Sequence, residues 1–177
     1  MHNIFGEPHL RRFFRRHQPA PCRLTPWKAA LGGVATIALC ALLAQWAGNA
    51  MLIAPLAATA VLVFAAHDSP MAQPANVIGG HLLSTATALV VAEFLPPTWW
   101  AMALAVGLSI ALMSATRLTH PPAGADALAV TALHPGWSYL LFPILTGAVL
   151  VVAAAIVLHR LVPPRRAYPL PIEESGG

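Results

Sequence analysis

From Ala29 to Ala66 the chain runs 38 residues without a formal charge, and Asp68, Glu93, Arg117 and Asp126 are the only four between Ala29 and His159. The other twelve of its sixteen charges lie within residues 1–28 and 160–177. A soluble domain is roughly 25 % charged, whereas this chain of 177 residues is 9 % charged and 58 % hydrophobic, with a mean hydropathy of +0.68. Such a chain cannot cover a water-facing surface, and it has too much apolar sequence to stay disordered. It reads as an integral membrane protein. A crossing helix needs about 20 apolar residues, so the charge-poor middle holds at most about six crossings and leaves no room for a separate catalytic domain.

The expected organisation is a basic N-terminal tail over 1–27, a transmembrane domain over 28–162 and a proline-rich C-terminal tail over 163–177. In the first tail Phe13 and Phe14 can insert into lipid while Arg11, Arg12, Arg15 and Arg16 meet headgroups. Five long helices are predicted, over 29–46, 51–66, 77–95, 98–116 and 137–158, with a turn at Ala47-Gly48-Asn49-Ala50. Between Arg117 and Trp137 lies LTHPPAGADALAVTALHPG. Pro121 or Pro122 suits a first helical turn, and Ala123–Leu133 has high helix propensity. At 1.5 Å rise this is a half-helix of roughly 18 Å. The fold class expected is therefore all-α, a polytopic membrane bundle of five long transmembrane helices plus a short broken half-helix.

Charge sets an expected orientation. Six Lys and Arg residues precede the first helix, which places the N-terminus inside. The C-terminal arginines return inside only if the 119–136 stretch also crosses, and irregular backbone at membrane depth must be protein-buried or face a polar cavity. Six crossings with both tails cytoplasmic is the expectation; a re-entrant loop with the tail outside is the alternative. The localisation expected is a bacterial inner membrane. A pI near 9.8 would suggest nucleic acid in a soluble protein, but here the orientation signal accounts for it and no nucleic-acid partner is expected.

Residues Thr119–Leu128, THPPAGADAL, resemble the signature of the HPP family of integral membrane proteins, and Ser69–Leu83, SPMAQPANVIGGHLL, is similar to that family's SP-x-AQPRNVIGGHLL segment. The resemblance spans roughly 28–162; the sequence departs from it at Ala75, where an Arg is usual, which removes a positive charge from that position. The resemblance implies a transport-type protein. Some chloroplast and cyanobacterial members are associated with nitrite movement, which makes a small inorganic anion, nitrite first, the implied substrate.

The residues supply their own argument. Both motifs follow a helix, start a new one with proline and place polar groups at that start: Gln73-Pro74-Ala75-Asn76 and His120-Pro121-Pro122. Gly79-Gly80 and Gly124 follow, permitting close backbone approach. The pair reads as a degenerate parallel repeat whose discontinuous helices build a site, or as two turns that merely reverse the chain. The substrate-pathway candidates are Gln73, Asn76, Gly79, Gly80, His81, Arg117, His120, Pro121, Pro122, Gly124 and Asp126. His120 either handles a proton or caps a helix. Asp126 is functional by default as an intramembrane carboxylate, or is structural through Arg117, its natural partner. His81 either faces the cavity or bonds to a neighbouring helix. Glu93 is explained by snorkelling beside Trp99-Trp100.

Eight histidines without His-x-x-x-His spacing, two unpaired cysteines, and no glycine-rich phosphate loop or nucleophile elbow argue against an enzyme. No catalytic residue, metal or cofactor is expected. Two alternatives to transport stand: a structural or regulatory membrane subunit, and a haem protein using His81 with His120 or His134. Small-residue faces at Gly32-Gly33, Ala57-Ala58, Ala103–Gly107 and Ala153–Ala155 predict a homo-oligomer, most simply a dimer in the lipid bilayer.

Overall fold

The structure, a computed structural model, describes residues 14–46 and 53–171. The predicted turn at Ala47–Ala50, the Arg11-Arg12-Phe13 portion of the N-terminal tail and the last six residues lie outside the described residues. Among the described residues six α-helices carry the fold: α1 (Thr25–Trp46), α2 (Ile53–Ala65), α3 (Pro74–Phe94), α4 (Trp99–Ala115), α5 (Gly124–Leu133) and α6 (Thr146–Leu161). No strand occurs among the described residues.

Proline defines most of the boundaries. α3 starts at Pro74 rather than Val77, because an N1 proline gives up only an N–H that has no intrahelical partner. The predicted helix over 137–158 is not continuous. Trp137–Leu140 forms a 3-10 turn, Phe142 leaves the helical region (φ −127, ψ 117), and the helix resumes at α6. Pro143 is the cause: it has no N–H to donate and pushes its predecessor towards extended backbone. The half-helix forms as Pro121–Ala123 in 3-10 geometry followed by the ten residues of α5.

The expectation of five long spans needs correction. Among the described residues three segments are long and apolar enough to cross a membrane, Thr25–Trp46, Pro74–Phe94 and the interrupted Trp137–Leu161, and Ala54–Ala65 and Trp99–Ala115 are shorter apolar helices. α4 is held to 17 residues by Pro97 before it and a left-handed cap after it. Exposed side chains suit a lipid environment: Trp27, Trp46, Phe94 and Trp99 are each more than three-quarters exposed.

Two apolar clusters organise the interior. One joins α1, α2 and α6 through Cys40, Leu56, Val63, Phe64, Val151 and Ala155. The other joins α3, α4 and α5 through Ala88, Leu89, Ala105, Ala127 and Val130. The segment 119–134 runs beside α3 in the same direction. Asn76 Nδ2 donates to the Thr119 carbonyl (3.1 Å) near the start of α3, and the His134 ring meets the Leu95 carbonyl (3.1 Å) at its end. This segment therefore passes from one end of the bundle to the other. α6 then returns, and Lys28 Nζ donates to the Pro164 carbonyl (2.8 Å), so the segments adjoining both tails leave at the same end.

Candidate functional site

The first requirement of the site is close approach of two backbones. A Cβ on Gly80 would lie 2.6 Å from His120 Cβ and 3.0 Å from the Leu118 carbonyl oxygen, and one on Gly79 would lie 2.9 Å from Leu118 Cδ1. Only glycine lets residues 118–120 cross α3 here. The crossing chain leaves α4 through a left-handed cap. Arg117 has φ 59, the Leu118 N–H reaches the Met113 carbonyl (2.9 Å) and the Arg117 N–H reaches that of Ser114 (3.3 Å), the Schellman pattern. Pro121 then holds His120 in extended backbone, φ −135 and ψ 99, and turns its side chain inward.

Inside, four elements supply one hydrogen-bonded chain. His120 Nδ1 donates to the Met71 carbonyl (2.8 Å), and His120 Nε2 lies 2.9 Å from Thr59 Oγ1 on α2. Thr59 Oγ1 also lies 2.8 Å from His81 Nε2 on α3, and His81 Nδ1 pairs with Asp126 Oδ2 on α5 at 2.5 Å. Thr59, His81 and His120 are fully buried and Asp126 is 1 % exposed. Beside them Ser84 Oγ donates to the Ala123 carbonyl (2.7 Å), which seats the start of the half-helix on α3. Asp126 lies in the first turn of α5, where the helix dipole favours a carboxylate. Its Oδ1 is buried without a hydrogen-bond partner. An isolated charge in an apolar interior is costly, and the His81 ring is the group placed to offset it.

The eleven sequence candidates separate. His81, His120 and Asp126 form the buried chain; Gly79, Gly80, Pro121 and Pro122 shape the backbone around it. Gly124 follows the 3-10 turn, with open space where a Cβ would sit. Asn76 is not in the cluster: its amide donates to the carbonyls of Arg117 (3.2 Å) and Thr119 (3.1 Å), clamping the approach to His120. Gln73 faces the other way, donating to the carbonyls of His67 (2.9 Å) and Ser69 (3.0 Å) and accepting from the Leu170 N–H (2.9 Å). Arg117 is exposed and is not the partner of Asp126; its left-handed backbone directs it away, and His81 takes that role. Thr59 is the residue sequence reasoning missed. Its signal was present, since it is the only polar side chain in the thirteen residues of α2.

A second polar cluster lies at the end where the tails leave. The His67 and His159 rings stack with centroids 4.6 Å apart, His159 Nε2 donates to the Val63 carbonyl (2.8 Å), and Tyr168 Oη donates to that of Ala72 (2.8 Å). Burial pushes the Tyr168 phenol up to about 12. The segment after Pro163 thus folds back onto the bundle.

The profile of the HPP transmembrane region matches residues 18–169. The chain belongs to the HPP family. It is 39 % identical over 156 residues to a Dictyostelium discoideum protein named only as a transmembrane protein, covering 81 % of this chain and 53 % of that one. A second Dictyostelium transmembrane protein is 35 % identical over 127 residues, covering 67 % and 40 %. The chain thus spans about half the length of the curated relatives it matches. No solved structure matches it.

Proposed function

We propose that this HPP protein transports a small inorganic anion, with nitrite the first substrate to test, and that it carries out no catalytic step. The observation that carries the reading is convergence: side chains from α2, α3, the HPP segment and α5 meet inside an apolar bundle, beside a break in the helical backbone. Burying such groups costs several kcal/mol unless they are paired, and intramembrane ionisable groups commonly mark pathways. An anion here would meet the Thr59 hydroxyl and imidazole N–H groups rather than a guanidinium, because Arg117 is exposed. The proposed setting is a bacterial inner membrane with both tails cytoplasmic, the orientation favoured by the six Lys and Arg residues up to Lys28. Open space at Gly33 and Gly107 leaves small-residue faces for a second copy, so a homodimer is part of the proposal.

Complete burial of both rings also favours a second reading, a non-transporting structural or regulatory subunit in which the cluster only locks two half-bundles together. A haem reading is weaker, since Thr59 occupies Nε2 of both His81 and His120. Nitrite and nitrate uptake into proteoliposomes separates the two main readings. Transport predicts saturable uptake that His120→Ala cuts roughly tenfold or more while the protein still inserts and stays monodisperse. Equal flux in empty and loaded vesicles overturns it.

A further inference from the structure

We infer that the buried Asp126–His81–Thr59–His120 chain is a binding site for one exchangeable proton, which moves between Asp126 and His120 along preformed hydrogen bonds. Four contacts link the groups in series: Met71 carbonyl to His120 Nδ1, His120 Nε2 to Thr59 Oγ1, Thr59 Oγ1 to His81 Nε2, and His81 Nδ1 to Asp126 Oδ2. Each needs one hydrogen. A carbonyl only accepts, so His120 Nδ1 carries the first. A neutral His120, a neutral His81, the Thr59 hydroxyl and an ionised Asp126 bring three hydrogens to these four contacts. One contact is then left with two lone pairs facing each other, and the cluster carries a net negative charge in an apolar interior.

Adding one proton corrects both faults. All four contacts are filled and the net charge becomes zero, which is the state burial favours. The added proton has three positions, none needing a heavy atom to move. It rests on Asp126, with His81 neutral and protonated at Nε2. It rests on His81, as an imidazolium beside a carboxylate. Or the Thr59 hydroxyl reverses to donate to His81, and His120 holds the charge. The hydroxyl can also turn to the Pro55 carbonyl (3.0 Å), which gives it a resting position during reversal.

Among the described residues, Asp126 and the two imidazoles are the ionisable groups in these contacts. α2 and α4 contain no titratable side chain, and those of α6, His159 and Arg160, lie in its last turn. Tyr139 is the further titratable group that interacts electrostatically with Asp126. Met71, whose carbonyl ends the chain of contacts, is 42 % exposed, so His120 is the member bonded directly to an exposed residue. The count stands on geometry alone and does not rest on the transport reading.

The test uses the full chain in nanodiscs with ¹⁵N-labelled histidine, read by ring-nitrogen NMR, together with the infrared carboxylic-acid band of Asp126. Near neutral pH the expected result is one proton beyond the two neutral rings, seen as a protonated Asp126 carboxyl or as a third ring N–H on His81 and His120, and lost in a single coupled step on raising pH. Two neutral Nδ1–H rings beside a carboxylate would overturn the inference. Thr59→Val should split the coupled step into independent titrations, and Thr59→Ser should restore it; an unchanged titration in Thr59→Val overturns the sharing. Should Thr59→Val fail to fold, Asp126→Asn gives the second arm, because removing the carboxylate should lose that proton. Nitrite uptake is measured separately. A filled proton site without uptake sinks transport alone, and uptake with an empty proton site sinks this inference alone.

Discussion

The two proline-initiated helix starts share a plan in sequence and part company in structure. At the first, Ser69 caps a 3-10 turn over Pro70–Ala72, Gln73 adopts extended backbone and α3 begins at Pro74. At the second, extended His120 precedes a 3-10 turn over Pro121–Ala123 and α5 follows at once. Neither Gln73 nor His120 caps its helix with its side chain. The difference lies in where those side chains go. Gln73 turns towards the surface and laces His67, Ser69 and Leu170 together, whereas His120 turns inward to Thr59. The same local grammar yields a joint in one place and a buried polar site in the other. What decides is the neighbour: the second start lies over Gly79-Gly80, which lets its backbone approach closely enough for His120 to reach the core.

The most damaging way to break this arrangement is to deny that approach. Gly80→Val should cost about 3 kcal/mol or more, because the clashing partners are His120 Cβ and a backbone carbonyl rather than the flexible end of a side chain. Loss of monodisperse protein, or a large fall in the thermal midpoint in detergent, is the expected reading. Gly124→Ala, with nothing within 4 Å of the new methyl, should be neutral or gain up to ~1 kcal/mol from helix propensity. Equal tolerance at both positions would mean that the glycine pair does not seat the HPP segment.

Next in size is a contrast between the two starts. His120→Ala removes a ring with no exposure and should cut substrate flux roughly tenfold or more, the equivalent of losing about 1.4 kcal/mol from a barrier or binding step. Gln73→Ala should leave flux within about twofold, yet lower stability by roughly 1–2 kcal/mol through three lost hydrogen bonds at a partly exposed site. Uptake and thermal unfolding measured on both variants decide this. If Gln73→Ala abolishes flux at unchanged stability, the division of labour is wrong.

How much of this was legible in the sequence depends on the kind of information involved. Elements bounded by proline were readable, because Pro74 and Pro121-Pro122 act on their own backbone. Pro143 obeys the same rule, but an apolar run on both sides disguised the break as one long helix. The polar residues of the cluster were readable as unusual, since His81, His120 and Asp126 stand in apolar surroundings. Their pairing was not. Arg117 is nine residues from Asp126 and opposite in charge, so sequence proximity favoured it, yet a left-handed residue after α4 sends it outward while His81 arrives from 45 residues away. Thr59 escaped for a similar reason: a threonine in a helix is ordinarily satisfied by its own backbone, and it does contact the Pro55 carbonyl. Only the packing of α2 against the HPP segment shows that two imidazoles compete for its hydroxyl.

A smaller effect distinguishes the surface joint from the buried site by pH. His67, whose carbonyl Gln73 holds, has its pKa lowered, chiefly by burial, with Arg166 and Lys28 adding to the lowering and Asp68 opposing it. The folded form therefore binds a proton less readily than the unfolded chain does. Stability is fully present above the unfolded value of about 6.5 and falls as pH drops through that value towards the folded one. His67→Gln should flatten the acid-side fall of the thermal-midpoint profile that begins near the unfolded value of about 6.5. A variant whose profile overlays that of the parent would assign the acid sensitivity to another group.

The smallest expected effect sits at the hinge that separates the two regions. Arg117 occupies the left-handed position of the cap that ends α4, with φ 59 and both Schellman hydrogen bonds formed. A residue with a Cβ pays about 1 kcal/mol for that conformation, and glycine does not. Arg117→Gly should raise the stability of the detergent-solubilised protein by up to ~1 kcal/mol. The cap geometry should be unchanged, because Asn76 bonds to the carbonyl of residue 117 and not to its side chain. If Arg117 were the electrostatic partner of Asp126, the same substitution would strand a buried carboxylate and destabilise the protein by several kcal/mol. The two outcomes differ in sign. A single thermal melt of Arg117→Gly beside the parent therefore decides whether charge balance in the core comes from the neighbouring helix, through His81, or from the nearest arginine in the chain.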